Sequence, residues 1–308
     1  MAFVWKGRLY KFLALCFGVK HGPFVFDRLG KAVRIYLQIN GVRIIIYLDD
    51  MLVLASSYEG CIRDAQFVLN TLVELGFTLK KEKCVLTPSK HFFFLGYLWD
   101  TDQMTCSLPE EKLDSLKDLA KQLLKPGRIS VRLLKSFLGK AMSTRPAVRL
   151  ARAMTRGIQR QSNLHYNGTS SSLKKLINIS NWGKEELQWW INLNLAECSL
   201  PLETVPIWNT VRLATDAMDT ALGSVLEGKI HYRIFTKEEL LHTIAHKEWI
   251  AFEETVEANL STLANKVVTW HVDNQNVKQA WLNLGTIRDH WLCDELYGYR
   301  NSSTNRTL

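Results

Sequence analysis

Residues 42–55 read Val-Arg-Ile-Ile-Ile-Tyr-Leu-Asp-Asp-Met-Leu-Val-Leu-Ala, so two adjacent carboxylates, Asp49 and Asp50, interrupt the most apolar stretch of the chain. β-Branched and large apolar residues on both sides favour two strands of a hairpin with the acids at or near the turn. Buried carboxylates must be paired, hydrogen-bonded, protonated or bound to metal. Neighbours on a regular strand point to opposite faces, whereas at a tight turn both can reach one site. An oxygen-only donor set without nearby Cys or His suits Mg²⁺, which keeps waters for a phosphate substrate. On residue chemistry alone, the pair has an equal claim to be a polar turn tip. The same two aspartates keep the stretch short of the roughly 18 apolar residues that a membrane span needs.

The surroundings are α+β. Ile62, Ala65, Val68, Leu69, Leu72 and Leu75 recur at helical spacing and Gly76 follows as a C-cap residue. Phe77–Leu79 and Cys84–Leu86 are expected to be short strands, and 91–98 another strand with a glycine inside. Pro109, Glu110 and Glu111 open a helical region that runs to Arg160 and is broken at Pro126-Gly127, with Ser130 capping the next helix. Residues 161–180 read as a linker and 184–195 as a helix. Beyond Pro206 the pattern alternates: a strand at 210–216, a hairpin around Glu227-Gly228, a helix near 246–260 and a strand at 266–272. Three domains are expected, at 1–105, 106–205 and 206–308.

The chain carries 39 basic and 30 acidic residues, and the excess is uneven. Between Lys112 and Arg160 there are 13 basic residues and two acidic ones. Arg145, Arg149, Arg152, Arg156 and Arg160 recur at three- and four-residue steps, which on one helix would form a stripe. A single basic helix is more often a solvated face. A strongly basic middle, followed by an acid-rich last third, points instead to nucleic acid, because a polyanion relieves like-charge repulsion. Six cysteines without a CxxC pair read as reduced packing residues rather than as a zinc site or disulfide frame. Lys6, Arg8 and Lys11 before Phe12–Val19 only faintly mimic a signal peptide. With no clear organellar or nuclear signal, the expectation is an intracellular chain, in cytoplasm or nucleus, without membrane partners.

In this setting the sequence resembles the reverse transcriptases of retrotransposons. Tyr47-Leu48-Asp49-Asp50 is similar to the family's Tyr-x-Asp-Asp catalytic turn. The segment from Leu15 to Phe26, with Phe17-Gly18 at its centre, resembles the segment that lines nucleotide and template; Cys16 stands for a proline and Gly22 for an alanine. Leu75-Gly76-Phe77 with Lys80, Lys81 and Lys83 resembles the following palm segment, and Phe94-Leu95-Gly96-Tyr97 the primer-grip hairpin. Leu108–Lys112 and Trp189-Trp190 look most like the tyrosine-recombinase (DIRS-like) branch. The resemblance implies a partial right-hand polymerase palm, then a helical thumb or connection whose five arginines hold nucleic acid. It also implies roles for Asp49 and Asp50 in metal binding and catalysis, for Phe17, Gly18 and Tyr47 at nucleotide and template, and for Leu95 and Gly96 at the primer.

The last third resembles a ribonuclease H domain of the α/β kind. Ala214–Leu226 looks like its first strand and turn, with Asp216 as metal ligand. His246–Ala251 looks like its first helix with Glu248, and Val272-Asp273-Asn274 like the strand end with Asp273. Carboxylates from separate elements would gather two Mg²⁺ per active site, here as in the palm. Individually, these residues are weak signals; Asp219 could be a turn residue, and Glu253, Glu254 and Glu257 a solvated helix face. The implied partners are an RNA template, a DNA primer, RNA–DNA hybrid and deoxynucleotides. The palm needs a further aspartate upstream of Phe17-Gly18, where none of the 16 preceding residues is acidic. A fourth ribonuclease H carboxylate has only Asp289 and Asp294 as candidates. The chain is therefore expected to be truncated at both ends and impaired as a polymerase, with a non-catalytic nucleic-acid-binding remnant as the alternative.

Overall fold

The computed structural model describes residues 2–13, 18–202, 210–264, 266–283, 285–286 and 289–303. They fall into two compact units, Met1–Asp102 and Gln103–Leu308. No helix among the described residues is long and apolar enough to cross a membrane.

The first unit opens with a hairpin that the sequence reading missed, β1 (Ala2–Trp5) and β2 (Arg8–Lys11), closed by Lys6 and Gly7 at φ 47° and 73°. Helix α1 (Gly22–Ile39) follows, also unread from the sequence, with a proline in its first turn, where the missing N–H costs nothing. Strands β3 (Arg43–Tyr47) and β4 (Asp50–Leu54) form the expected hairpin, and α2 (Tyr58–Glu74) is capped by the Ser57 side chain. Gly76 takes the left-handed conformation after α2, at φ 82°. Val33 and Leu37 of α1, Ile44 of β3, and Val68 and Leu72 of α2 close one core, completed by Val42, with Phe77 and Leu79 packed against it.

Two expectations fail here. Residues 77–79 and 84–86 are not strands; Lys81–Lys83 is a short 3-10 turn instead. Phe77 and Leu79 gain their burial by packing on the core, not by pairing. Residues 91–98 are not one strand either: β5 (His91–Phe94) and β6 (Tyr97–Asp100) pair antiparallel around Leu95-Gly96, at φ 50° and 83°. Both turn residues have positive φ, as a type I′ two-residue hairpin turn requires.

In the second unit β7 (Thr105–Ser107) precedes α3 (Glu110–Leu124), β8 (Ile129–Ser130) and α4 (Val131–Met142), which Ser130 caps as expected. After α5 (Arg156–His165) come α6 (Ser170–Leu173), β9 (Leu176–Ile177), α7 (Asn181–Asn192) and β10 (Ser199–Pro201). The expected linker at 161–180 therefore holds the end of α5, a short helix and a strand paired with β8. Trp190 is fully buried and meets Phe137 edge-to-face.

The remainder is one sheet with helices. Strands β11 (Thr210–Ala217), β12 (Ala221–Leu226) and β13 (Lys229–Ile234) form an antiparallel meander. Helices α8 (Ile244–Ala258) and α9 (Leu260–Leu263) lead to β14 (Val267–His271), which pairs parallel to β11, giving the order β13-β12-β11-β14. Helices α10 (Gln275–Asn283) and α11 (His290–Ser303) close the unit. Burial alternates strictly along β11, and Val211 and Leu213 pack with Trp249, Phe252 and Val256 of α8.

Candidate metal centre

Parallel pairing sets up the strongest constellation. Ala214 of β11 lies opposite His271 of β14, so Asp216, two residues further along β11, and Asp273, two residues past the end of β14, come close together. Trp270 Nε1 donates to Thr215 Oγ1 at 2.9 Å and ties the two strands together. Helix α8 packs over β11 and β12, starts from a Thr243 cap, and carries Glu248 in its second turn. One carboxylate oxygen from each of Asp216, Glu248 and Asp273 lies within 4.8 Å of the other two. The site sits at the C-terminal ends of two parallel strands, the usual place for ligands in such sheets.

Glu248 is buried, while Asp216 and Asp273 are exposed. Burial pushes the Glu248 carboxyl up to about 7, helped by the negative Asp273 and Asp216 and opposed by a hydrogen bond from the Ala217 backbone. Its Oε2 is buried without a hydrogen-bond partner. Such an orphaned acceptor is costly. An oxygen-only set of three carboxylates, one of them buried with an unsatisfied oxygen, fits a hard divalent cation. Lys247, also buried, points away: its ammonium donates to the Asp219 carbonyl at 2.7 Å, fixing the β11–β12 turn.

The two candidates for a fourth carboxylate are engaged elsewhere. Asp289 Oδ2 lies 2.6 Å from His246 Nε2, and its Oδ1 accepts the Leu292 N–H at the start of α11. Asp294 lies 3.5 Å from His290. Neither joins the Asp216–Glu248–Asp273 group.

In the first unit Tyr47 pairs with Asp50 across the hairpin, and the turn is Leu48-Asp49. Leu48 has φ 51°, a strained conformation for a bulky residue. Ile44 points into the core, so Ile45, Tyr47 and Asp50 share the outer face by alternation, and Tyr47, Asp49 and Asp50 are all exposed. Among the described residues, neither aspartate belongs to a group of three possible metal ligands. Beside the turn a cleft of ≈ 250 Å³ is lined by Phe26, Asp27, Gly30, Lys31, Arg34, Ile46 and Leu48. Gly18 lies in a turn at φ 83°; Phe17 lies outside the described residues. Leu95 and Gly96 form the β5–β6 turn.

The arginine stripe is a correction. Arg145, Arg149 and Arg152 lie in turns after α4, and only Arg156 and Arg160 are helical, on α5. Pro146 lacks the N–H that a continuous helix would use. Arg145, Arg149 and Arg160 are exposed, whereas Arg152 donates to the Leu282 carbonyl at 3.4 Å. Arg156 is buried and donates to the Asn283 carbonyl and to Gln159 Oε1. Two of the five arginines thus bind the backbone around the end of α10.

Sequence reasoning passed over Glu186. It is buried on α7 and accepts the Gly157 and Ile158 N–H groups at 2.6 and 2.9 Å, at the N-terminus of α5. Its only sequence signal was an acidic residue on the apolar face of the Trp189-Trp190 helix.

Residues 2–98 match the family described as reverse transcriptase (RNA-dependent DNA polymerase). The chain is 25% identical over 224 residues to the retrovirus-related Pol polyprotein from transposon opus of Drosophila melanogaster, an alignment covering 70% of this chain and 20% of that protein. It is 24% identical over 261 residues to the Pol polyprotein from transposon 297 of the same organism, covering 81% and 22%. The chain therefore spans about a fifth of the length of these relatives. A foamy viral protease–reverse transcriptase in complex with double-stranded DNA superposes with TM-score 0.54 at 15% identity, over 97% of this chain and 51% of that one. The same kind of protein in complex with RNA/DNA hybrid gives 0.50 at 16% identity, over 97% and 39%. At this identity the likeness concerns the fold: a mixed helix-and-sheet chain like that of a viral reverse transcriptase. Together the matches relate the chain to retroelement Pol polyproteins through a reverse transcriptase segment.

Proposed function

We propose that the chain acts as the polymerase and ribonuclease H portion of a retroelement Pol polyprotein, handling an RNA template, a DNA primer and their hybrid. The observation that carries the reading is the order of two acidic centres in one chain. Tyr47–Asp50 lies within the segment matched to reverse transcriptases, and Asp216, Glu248 and Asp273 converge on a later sheet. The strand order β13-β12-β11-β14 with α8 across it supports the ribonuclease H reading of that sheet. The DIRS-like assignment stays a proposal resting on Leu108–Lys112 and Trp189-Trp190.

Asp216, Glu248 and Asp273 would hold Mg²⁺, which when bound activates a water and stabilises the leaving oxygen of the RNA strand. Glu248 must be ionised for this, and cation binding favours that form over the proton its buried position retains. Asp216 and Asp273, being exposed, leave the scissile phosphate an open approach. At the polymerase centre Asp49 and Asp50 would face the nucleotide phosphates and Leu95-Gly96 the primer end, with Gly18 and Phe17 near the template. Because Asp49 and Asp50 join no group of three possible metal ligands among the described residues, that centre should position a primer 3′-oxygen poorly.

Two assays on the full chain test the reading. Incubation with Mg²⁺ and a labelled RNA–DNA hybrid should cut the RNA strand, and Asp273→Asn should abolish the cuts. Primer extension on an RNA template should give no product from this chain alone; incorporation that disappears in Asp49→Ala would overturn the impaired-polymerase part. Hybrid binding without any cleavage would favour a non-catalytic nucleic-acid-binding remnant, the reading suggested by the isolated exposure of Asp49 and Asp50.

A further inference from the structure

The β1–β2 hairpin exposes an unusual face. Its register pairs Phe3 with Tyr10 and Trp5 with Arg8, and alternation along each strand places these four side chains on one face. Phe12 extends the row: Phe3 stacks on Tyr10 with ring centres 5.4 Å apart and planes 16° from parallel, and Phe12 lies 5.4 Å from Phe3. All four rings are open to solvent, Phe3 46%, Trp5 60%, Tyr10 42% and Phe12 47% exposed. Lys6 lies over the Trp5 ring at 5.9 Å. Every charged residue between Ala2 and Phe12 is basic: Lys6, Arg8 and Lys11.

We propose that this face binds single-stranded nucleic acid by stacking bases on Phe3, Trp5, Tyr10 and Phe12, while Lys6 at the turn and Arg8 on the same face contact phosphates. The proposal rests on the nucleic-acid reading above and names where an unpaired strand is held. Charge decides the occupant. A second apolar protein surface would cover the rings but leave the cations of Lys6 and Arg8 at its rim without counter-ions. A single strand supplies a flat π-face and a phosphate at every nucleotide. A duplex hides its base faces in its own stack, so the platform selects unpaired strands.

The test compares the full chain with Tyr10→Leu, which keeps apolar bulk and removes the ring, and Tyr10→Phe, which keeps the ring. Binding of a labelled oligothymidylate and of a labelled RNA–DNA hybrid is followed by fluorescence anisotropy, with circular dichroism confirming that each variant is folded. The expected result is an affinity for the single strand about tenfold weaker in Tyr10→Leu, unchanged in Tyr10→Phe, and a hybrid affinity equal in all three proteins. Single-strand binding that Tyr10→Leu leaves unmoved, or that both variants weaken equally, overturns the proposal. A wild-type dimer that Tyr10→Leu converts to monomer, with oligonucleotide binding intact, also overturns it and makes a second copy of the chain the occupant. Hybrid binding without single-strand binding by the wild type sinks the stacking platform alone. Binding of neither ligand removes the nucleic-acid reading itself.

Discussion

A Cβ built on Gly157 would meet the Trp182 ring at 2.6 Å, a separation that only movement of the ring or of the α5 backbone could relieve. Gly157→Ala should therefore destabilise the protein by about 1–3 kcal/mol, read as a lower denaturant midpoint with an unchanged slope; a midpoint equal to wild type would mean that Trp182 moves freely. The same glycine N–H feeds Glu186, whose carboxylate completes the first turn of α5 from a different helix. Burial raises the Glu186 carboxyl to about 7, against the usual 4.5, and the backbone hydrogen bonds from Ile158, Gly157 and Arg156 only partly offset it. A raised acid holds its proton in the folded protein where the unfolded chain has released it, so its contribution is present at low pH and fades between about 4.5 and 7. Relative to Glu186→Gln, the wild type should lose stability across that window, by at most about 3 kcal/mol. Denaturation at pH 5 and pH 7.5 checks this, and a gap between the two proteins that stays constant contradicts it. Neither residue stood out in the sequence. A glycine and the second of two adjacent glutamates reveal their constraint only when α5 and α7 pack.

At the level of elements, what could be read depended on how local the cause was. The β3–β4 hairpin, α2 with its Gly76 stop and α8 were legible because periodicity and caps are written in adjacent residues. The arginine series was misread because spacing alone cannot see Pro146 end a helix, nor Arg156 turn inward. The consequence is measurable. Replacing Arg145, Arg149 and Arg160 with Gln should lower the salt dependence of hybrid binding, by about one unit of slope for each phosphate that is no longer neutralised. Arg156→Gln should leave that slope unchanged and cost about 2 kcal/mol of stability, because a buried charged donor to the Asn283 carbonyl is removed. A slope unmoved by the triple variant would return the exposed arginines to plain solvation. The β1–β2 hairpin escaped notice for the opposite reason: its aromatic residues alternate as in a strand, but its basic residues and short length masked the signal.

On the scale of the whole molecule, the trio Asp216, Glu248 and Asp273 was legible in order along the chain, while its convergence is a product of topology. Parallel pairing of β14 with β11 is what sets two aspartates side by side, and α8 supplies the third group from above the sheet. The fourth carboxylate was not legible: Asp289 and Asp294 had suitable chemistry, but helix capping and histidine partners hold them. Asp49 and Asp50 were legible as a turn, and their exposure sets the two acidic centres apart in the completeness of their surroundings. The claim on which the account depends is that Glu248 and its two neighbours exist to hold divalent cations. Titration of the full chain with Mn²⁺, followed by loss of the free-ion paramagnetic resonance signal, reads this directly. Saturable uptake by the wild type, displaced by Mg²⁺ and largely lost in both Asp216→Asn and Glu248→Gln, is the expected result; uptake by the variants equal to that of the wild type, or none by any of the three, would contradict that role.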